Sequence, residues 1–187
     1  MKKIILSKTG LFLTLGLLWI SSEFFGQEFK LTRQEQREVR KAERVANFNF
    51  LDTLLESRSF VLEADYIQNK WGDRFIVPQM LNFIKVDSSY VVLQTGSNVR
   101  FGYNGVGGVT AEGRASDWKL VRNFKNLNYN LRFNVLTDIG VYDVLMWIGA
   151  DKVARATITG LWPGSLTFDG YIKSLDNSRV FKGQRSY

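Results

Sequence analysis

From Ser59 onward, apolar and polar residues alternate along this chain with a period of two. Leu127, Tyr129, Leu131, Phe133 and Val135 are interleaved with Asn128, Asn130, Arg132 and Asn134, the pattern of a strand with one buried and one wet face. Phe60, Leu62, Ala64 and Tyr66 alternate in the same way with Glu63 and Asp65. Similar runs cover 81–87, 90–94, 108–115, 118–124, 141–148, 152–159 and 166–172, which predicts nine successive strands. The run 141–148 is apolar on both faces apart from Asp143, which predicts a central position. Turn-like links stand at 87–89, Asp117, 138–140, 149–151 and 163–164. Links this short make antiparallel hairpins, because parallel neighbours need long crossovers. Residues 58–187 are therefore expected to form a mainly β domain of about eight to nine strands: an antiparallel curled sheet, a small sandwich or a partly open barrel. Phe60, Leu62, Leu131, Phe133, Val144, Met146, Ile158 and Phe168 are each the apolar phase of their strand and are expected in one core.

Upstream the period lengthens to about 3.6. Thr32 followed by Glu35 forms a capping box, opening a helix-compatible stretch to about Ser57. Residues 27–57 are thus predicted as an N-terminal helical segment. Its first half carries only a thin stripe of Val39, Ala42, Val45 and Ala46. Its second half, with Phe48, Leu51, Leu54 and Leu55, is amphipathic and is the part expected to dock. Residues 1–26 have the three parts of a signal peptide: Lys2, Lys3 and Lys8, an uncharged stretch over 11–20, then Ser21, Ser22 and Gly26. The apolar stretch is about half the roughly 20 residues that span a hydrocarbon core. Export to the periplasm or cell envelope is expected, with cleavage after Ser22 or Gly26.

The chain holds neither histidine nor cysteine. Disulfides, a lipid anchor on an N-terminal cysteine, and the usual zinc ligands are thereby excluded. The formal charge is +7, and removing three Lys and one Glu with residues 1–26 leaves +5. Part of the excess lies between Lys30 and Arg44, on a helix where Glu35, Glu38 and Glu43 stand among six cations. This reads as a solvated face with helical ion pairs, capable of weak contact with an anionic surface. Nucleic acid is not expected as a partner of an exported chain.

Candidate chemistry is sparse. The cluster Gly102, Gly105, Gly107 and Gly108 lacks the third glycine of a phosphate-binding fingerprint, and the segment after it reads as strand, not helix. Glu63 and Asp65 share one face of one strand, whereas paired catalytic carboxylates face each other across a cleft. No G-x-S-x-G occurs, and a serine here would need a base other than His. No catalytic residue, metal site or cofactor is predicted. Trp71, Phe101, Tyr103, Trp118, Trp147 and Trp162 exceed what a core of this size requires. If a ligand binds, the expected mouth is the loop 101–108, where Phe101, Tyr103 and Asn104 offer stacking and hydrogen bonds. Trp162, in the turn 162–164, would close over it if both loops share one end of the sheet.

The helix end Leu54-Leu55-Glu56-Ser57 running into Phe60-Val61-Leu62-Glu63-Ala64, the glycine-rich segment with aromatics, Asn130-Leu131-Arg132-Phe133-Asn134-Val135, Ala154-Arg155 and Phe168-Asp169-Gly170-Tyr171-Ile172 together span most of residues 50–175. On these the chain resembles the exported Bacteroidota proteins of domain of unknown function 4251, with a longer loop at 160–164. The resemblance implies an exported, mainly β single domain; it brings no catalytic residue and no ligand. Two functional classes stay open. One is a non-enzymatic exported domain binding a small apolar ligand or an envelope partner in a β-lined concavity. The other is a hydrolase using carboxylates only, which needs two of them facing each other from distant strands.

Overall fold

The computed structural model describes residues 32–97, 106–138, 140–160 and 164–186. The leader and the candidate residues Phe101, Tyr103, Asn104 and Trp162 lie outside them. The chain divides into two units, Met1–Val39 and Arg40–Tyr187. In the first, the capping box forms the opening turn of helix α1 (Arg33–Glu56). The Thr32 amide donates to Glu35 Oε2 at 2.7 Å, and the Glu35 amide donates to Thr32 Oγ1 at 3.3 Å. The Thr32 amide and, after it, the Thr32 hydroxyl hold the Glu35 carboxyl below its ordinary value. All side chains from Arg33 to Val39 are exposed. Among the described residues no helix is long and apolar enough to cross a membrane.

In the second unit α1 turns through Ser57 and Arg58 into the first of nine strands: β1 (Ser59–Gln68), β2 (Arg74–Ile76), β3 (Phe83–Asp87), β4 (Tyr90–Thr95), β5 (Val109–Asn123), β6 (Asn128–Thr137), β7 (Gly140–Gly149), β8 (Val153–Thr159) and β9 (Ser165–Ser174). From β3 to β9 each strand pairs antiparallel with the next, and β1 pairs with both β3 and β9. Eight strands thus close into a barrel, with β2 added at Tyr66–Gln68 of β1. Of the expected architectures, a closed barrel is the one found. An eight-stranded barrel is just wide enough inside for side chains or one small ligand.

The eight residues expected in the core are all buried in one cluster. Three details differ from the sequence pattern. The runs 108–115 and 118–124 are one strand, β5, whose register shifts between Ser116 and Lys119; Asp117 sits in that bulge with φ 52°, not in a hairpin turn. The ninth strand is β2, three exposed residues too short to show a period. The third concerns 141–148: among the described residues no second layer covers the outer side of β7, so its Val141, Leu145 and Trp147 remain 47, 55 and 42 % exposed. Trp118, in contrast, packs on the core, stacked on Phe133 with ring centroids 4.8 Å apart.

One barrel end is covered by the amphipathic half of α1. Phe48 stacks on Tyr129 at the start of β6, with centroids 4.5 Å apart, and the buried Tyr129 hydroxyl donates to the Phe48 carbonyl at 2.8 Å. Arg122, at the end of β5, donates to Asp52 at 2.7 Å and also pairs with Glu56. Lys152 from the β7–β8 turn lies over the Phe50 ring. Leu51 and Leu55, both fully buried, complete the apolar cover.

Beyond a 3-10 turn (Leu175–Asn177) the C-terminal residues cross the outside of β1, β3, β4 and β5. Ser178 donates to Glu63 at 2.7 Å, Gln94 Nε2 donates to the Phe181 carbonyl at 2.8 Å, and the Gly183 amide donates to Gln94 Oε1 at 2.8 Å. Leu175 and Val180 cover the outward-facing Val61, Phe83 and Val92. Gln94, Thr110 and Glu63 are consequently buried on the outer wall, each with a partner.

Candidate functional site

Among the described residues, the barrel end opposite α1 is open. There Val109 and Ala111 of β5, Ile158 of β8, Leu93 of β4 and Phe168 of β9 line the interior. They leave a cavity of about 460 Å³, within the range of ligand pockets and mainly apolar like them. Tyr142 of β7 forms part of the wall; a Cβ added to Gly160 would come within 2.5 Å of its ring, so the ring lies directly against the Gly160 backbone.

The rim is built by turns. Asn69 Oδ1 accepts from the amides of Trp71 and Asp73, both at 3.0 Å, and Asn69 Nδ2 donates to Asp73 at 2.9 Å. This fixes the β1–β2 turn and presents Lys70 and Trp71 at the mouth. The Lys70 stem reaches towards Gly164, where an added Cβ would lie 3.3 Å from Lys70 Cδ. Its ammonium stands 4.7 Å from the Trp71 ring centre. Lys70 is the one charged side chain among the described lining residues.

The carboxylates lie elsewhere and are engaged. Glu63 accepts from Lys173 at 2.5 Å and from Ser178 beneath the C-terminal residues. Asp65 occupies a bulge of β1 and accepts from Gln79. Asp169 takes a two-pronged contact from Arg155, at 2.6 and 3.1 Å, with Arg74 at 3.3 Å; the hydrogen bond to Asp169, then its charge, raises the Arg155 pKa. On the outer wall Tyr90, Glu112 and Lys182 form a second network. Burial pushes the Glu112 carboxyl up, but the Tyr90 hydroxyl, Lys182 and Arg185 together bring it below its ordinary value. Among the described residues no group of three or more acidic side chains is placed to hold a metal ion.

Of the residues singled out in the sequence for ligand binding, Phe101, Tyr103, Asn104 and Trp162 fall outside the described residues. The residues that anchor their loops do not: Thr95 and Val109 flank one, Gly160 and Gly164 the other, and all four border the cavity. Both loops therefore start and end at the same barrel end. The cavity wall itself is not legible in the sequence. Ile158 and Phe168 read as inward residues, but their phase is the same whether they fill a core or line a void. The turn at Asn69–Asp73 does carry a local signal, Asn with Gly72 three residues on, which alternation within the strands passes over.

A family model described as Domain of unknown function (DUF4251) matches residues 42–172. Among solved structures the chain is similar to a DUF4251 family protein from Bacteroides eggerthii, at 27 % identity and a TM-score of 0.61. The similarity covers 73 % of this chain and 93 % of that one. No curated protein matches.

Proposed function

The chain belongs to the DUF4251 family, whose description names no activity, and from the open barrel end we propose that it is an exported, non-enzymatic domain that binds a small apolar ligand. The observation that carries this reading is the cavity of about 460 Å³, walled by Leu93, Ala111, Ile158 and Phe168 and open at the end that α1 does not cover. Water in a mainly apolar concavity is poorly hydrogen-bonded, so an apolar ligand gains by displacing it. A hydrolase using carboxylates draws no support: the described lining contains none, and the loops 98–105 and 161–163 hold neither Asp nor Glu. The three-part leader supports export.

The neutral fluorophore N-phenyl-1-naphthylamine tests the cavity. Saturable enhancement of its emission is expected with the wild-type protein. Ala111→Trp, which places an indole in the void, should abolish it while leaving the far-ultraviolet circular dichroism unchanged. Binding that persists in a folded Ala111→Trp protein would place the apolar site elsewhere.

A further inference from the structure

We propose that a cationic stripe on helix α1, with Arg40, Lys41 and Arg44 of the second unit foremost, docks the protein on an anionic lipid surface. The inference goes beyond the cavity and does not depend on it. Residues three and four apart share a helix face, and Arg40, Lys41 and Arg44 follow that spacing. Continued forward, it reaches Phe48, Leu51 and Leu55, the buried face of the same helix. The face that is apolar where it lies on the barrel is thus cationic from Arg44 back to Arg40, where every side chain is exposed. Continued backward in the sequence, the same spacing meets Arg37 and Arg33. At about 100° per residue, Glu35, Glu38 and Glu43 fall on the rest of the circumference.

Such a stripe is unfavourable for a helix that meets only water. Like charges three or four apart weaken a helix about as much as opposite ones strengthen it, and Arg44 stands at that spacing from both Arg40 and Lys41. Cations in the opening turns also oppose the positive end of the helix dipole. The compensating pairs that spacing allows, Glu38 with Lys41 and Arg40 with Glu43, are not formed. Among the described residues no ion pair engages any of 33–44. An external anionic surface relieves this repulsion. Four of the five cations are Arg, whose planar fork matches phosphate oxygens. Residues 33–47 hold no aromatic side chain on which a base could stack, which favours a plane of lipid phosphates over a nucleic acid strand. The leader over residues 1–26, read as an export signal, brings the chain to a membrane.

The test sediments the exported protein, each variant prepared alike, with sucrose-loaded vesicles of phosphatidylcholine alone or with about one third phosphatidylglycerol. Binding to the anionic vesicles only is expected at a salt of about 0.1 M. It should be lost at about 0.5 M, where the Debye length falls to roughly 4 Å. Each cation near an anionic surface changes partitioning about fivefold. The combined variant Arg40→Gln, Lys41→Gln, Arg44→Gln should therefore bind about a hundredfold more weakly, with its far-ultraviolet circular dichroism retained. Arg114→Gln, Lys119→Gln and Lys125→Gln together remove the same charge from exposed positions on and after β5. That control should stay within about threefold of wild type, because attraction fades beyond a Debye length. Equal binding to both kinds of vesicle, a folded helix variant that binds like wild type, or a control that loses as much would overturn the stripe as the docking face. Salt-sensitive capture by heparin without binding to the vesicles would overturn the lipid assignment.

Discussion

Tyr129 joins the two halves of the barrel's closed end. It is fully buried, stacked on Phe48, and its hydroxyl donates to the Phe48 carbonyl. Burial, and after it the Asp52 carboxylate, raises the pKa of this phenol well above its ordinary value. The consequence for stability has a definite sign. Below a pH of about 10 the phenol is neutral in both folded and unfolded chains and contributes no pH dependence. Above it, the unfolded chain releases the proton and the folded one retains it, so unfolding is favoured by up to about 1.4 kcal/mol per pH unit. Tyr90, raised by burial and by Glu112, and Lys182, raised by its bond to Glu112, act in the same direction. Urea midpoints measured between pH about 9 and 11 should therefore fall steeply, and Tyr129→Phe should flatten part of the fall while costing about 0.5–1.5 kcal/mol at neutral pH. An alkaline slope identical in both proteins would dismiss Tyr129 as a source. The inward phase of Tyr129 and Phe133 is plain from alternation alone. That of Tyr66 is not: the bulge at Asp65 turns it outward, where Arg74 lies 3.9 Å from its ring, and sends Ile67 inward. That bulge involves Gln79 and Gly170, residues far along the chain, and local alternation carries no trace of either.

Bulges and glycines shape the strands. Beside the shift in β1, Gly170 of β9 lies opposite Ala64, so close that a Cβ would lie 1.9 Å from the Glu63 carbonyl oxygen. The two strands approach there because β1 changes direction, and only a residue without a side chain lets the barrel close at that point. Gly170→Ala should destabilise the protein by at least about 1–3 kcal/mol, the usual cost of overpacking. Thermal unfolding followed by circular dichroism would show it, and an unchanged midpoint would mean that β1 and β9 can separate without penalty. In β5 the bulge around Asp117 carries one strand through what the sequence presents as two, because a polar residue between two alternating runs looks the same in a bulge as in a hairpin. Helix α1 is more legible. The switch from a thin stripe to Phe48, Leu51, Leu54 and Leu55 marks the docking half, and these four are its buried residues.

At the scale of the whole β domain, the sequence leads to an antiparallel, mainly β architecture but not to closure. Closure is the pairing of β1 with β9, from Phe60 opposite Ser174 to Gln68 opposite Thr167, between segments about a hundred residues apart in the chain, and alternation within a strand does not name its neighbours. The cavity arises from closure combined with the small Ala111, and so is equally hidden. The family match stops at residue 172, yet residues 175–186 lie against the outer wall as a fastening, so these residues are not a harmless target for a protease. Trimming after Ser174 should return Val61, Phe83 and Val92 to water, at on the order of 1.5–3 kcal/mol for each side chain that was fully covered, and should leave a soluble protein prone to self-association. Light scattering and urea denaturation of a trimmed chain would test this, and a monomer of undiminished stability would refute it. A cut placed by family resemblance alone would thus yield a frayed barrel, and a ligand screen on that shortened protein would report stickiness of its stripped flank instead of occupancy of its mouth.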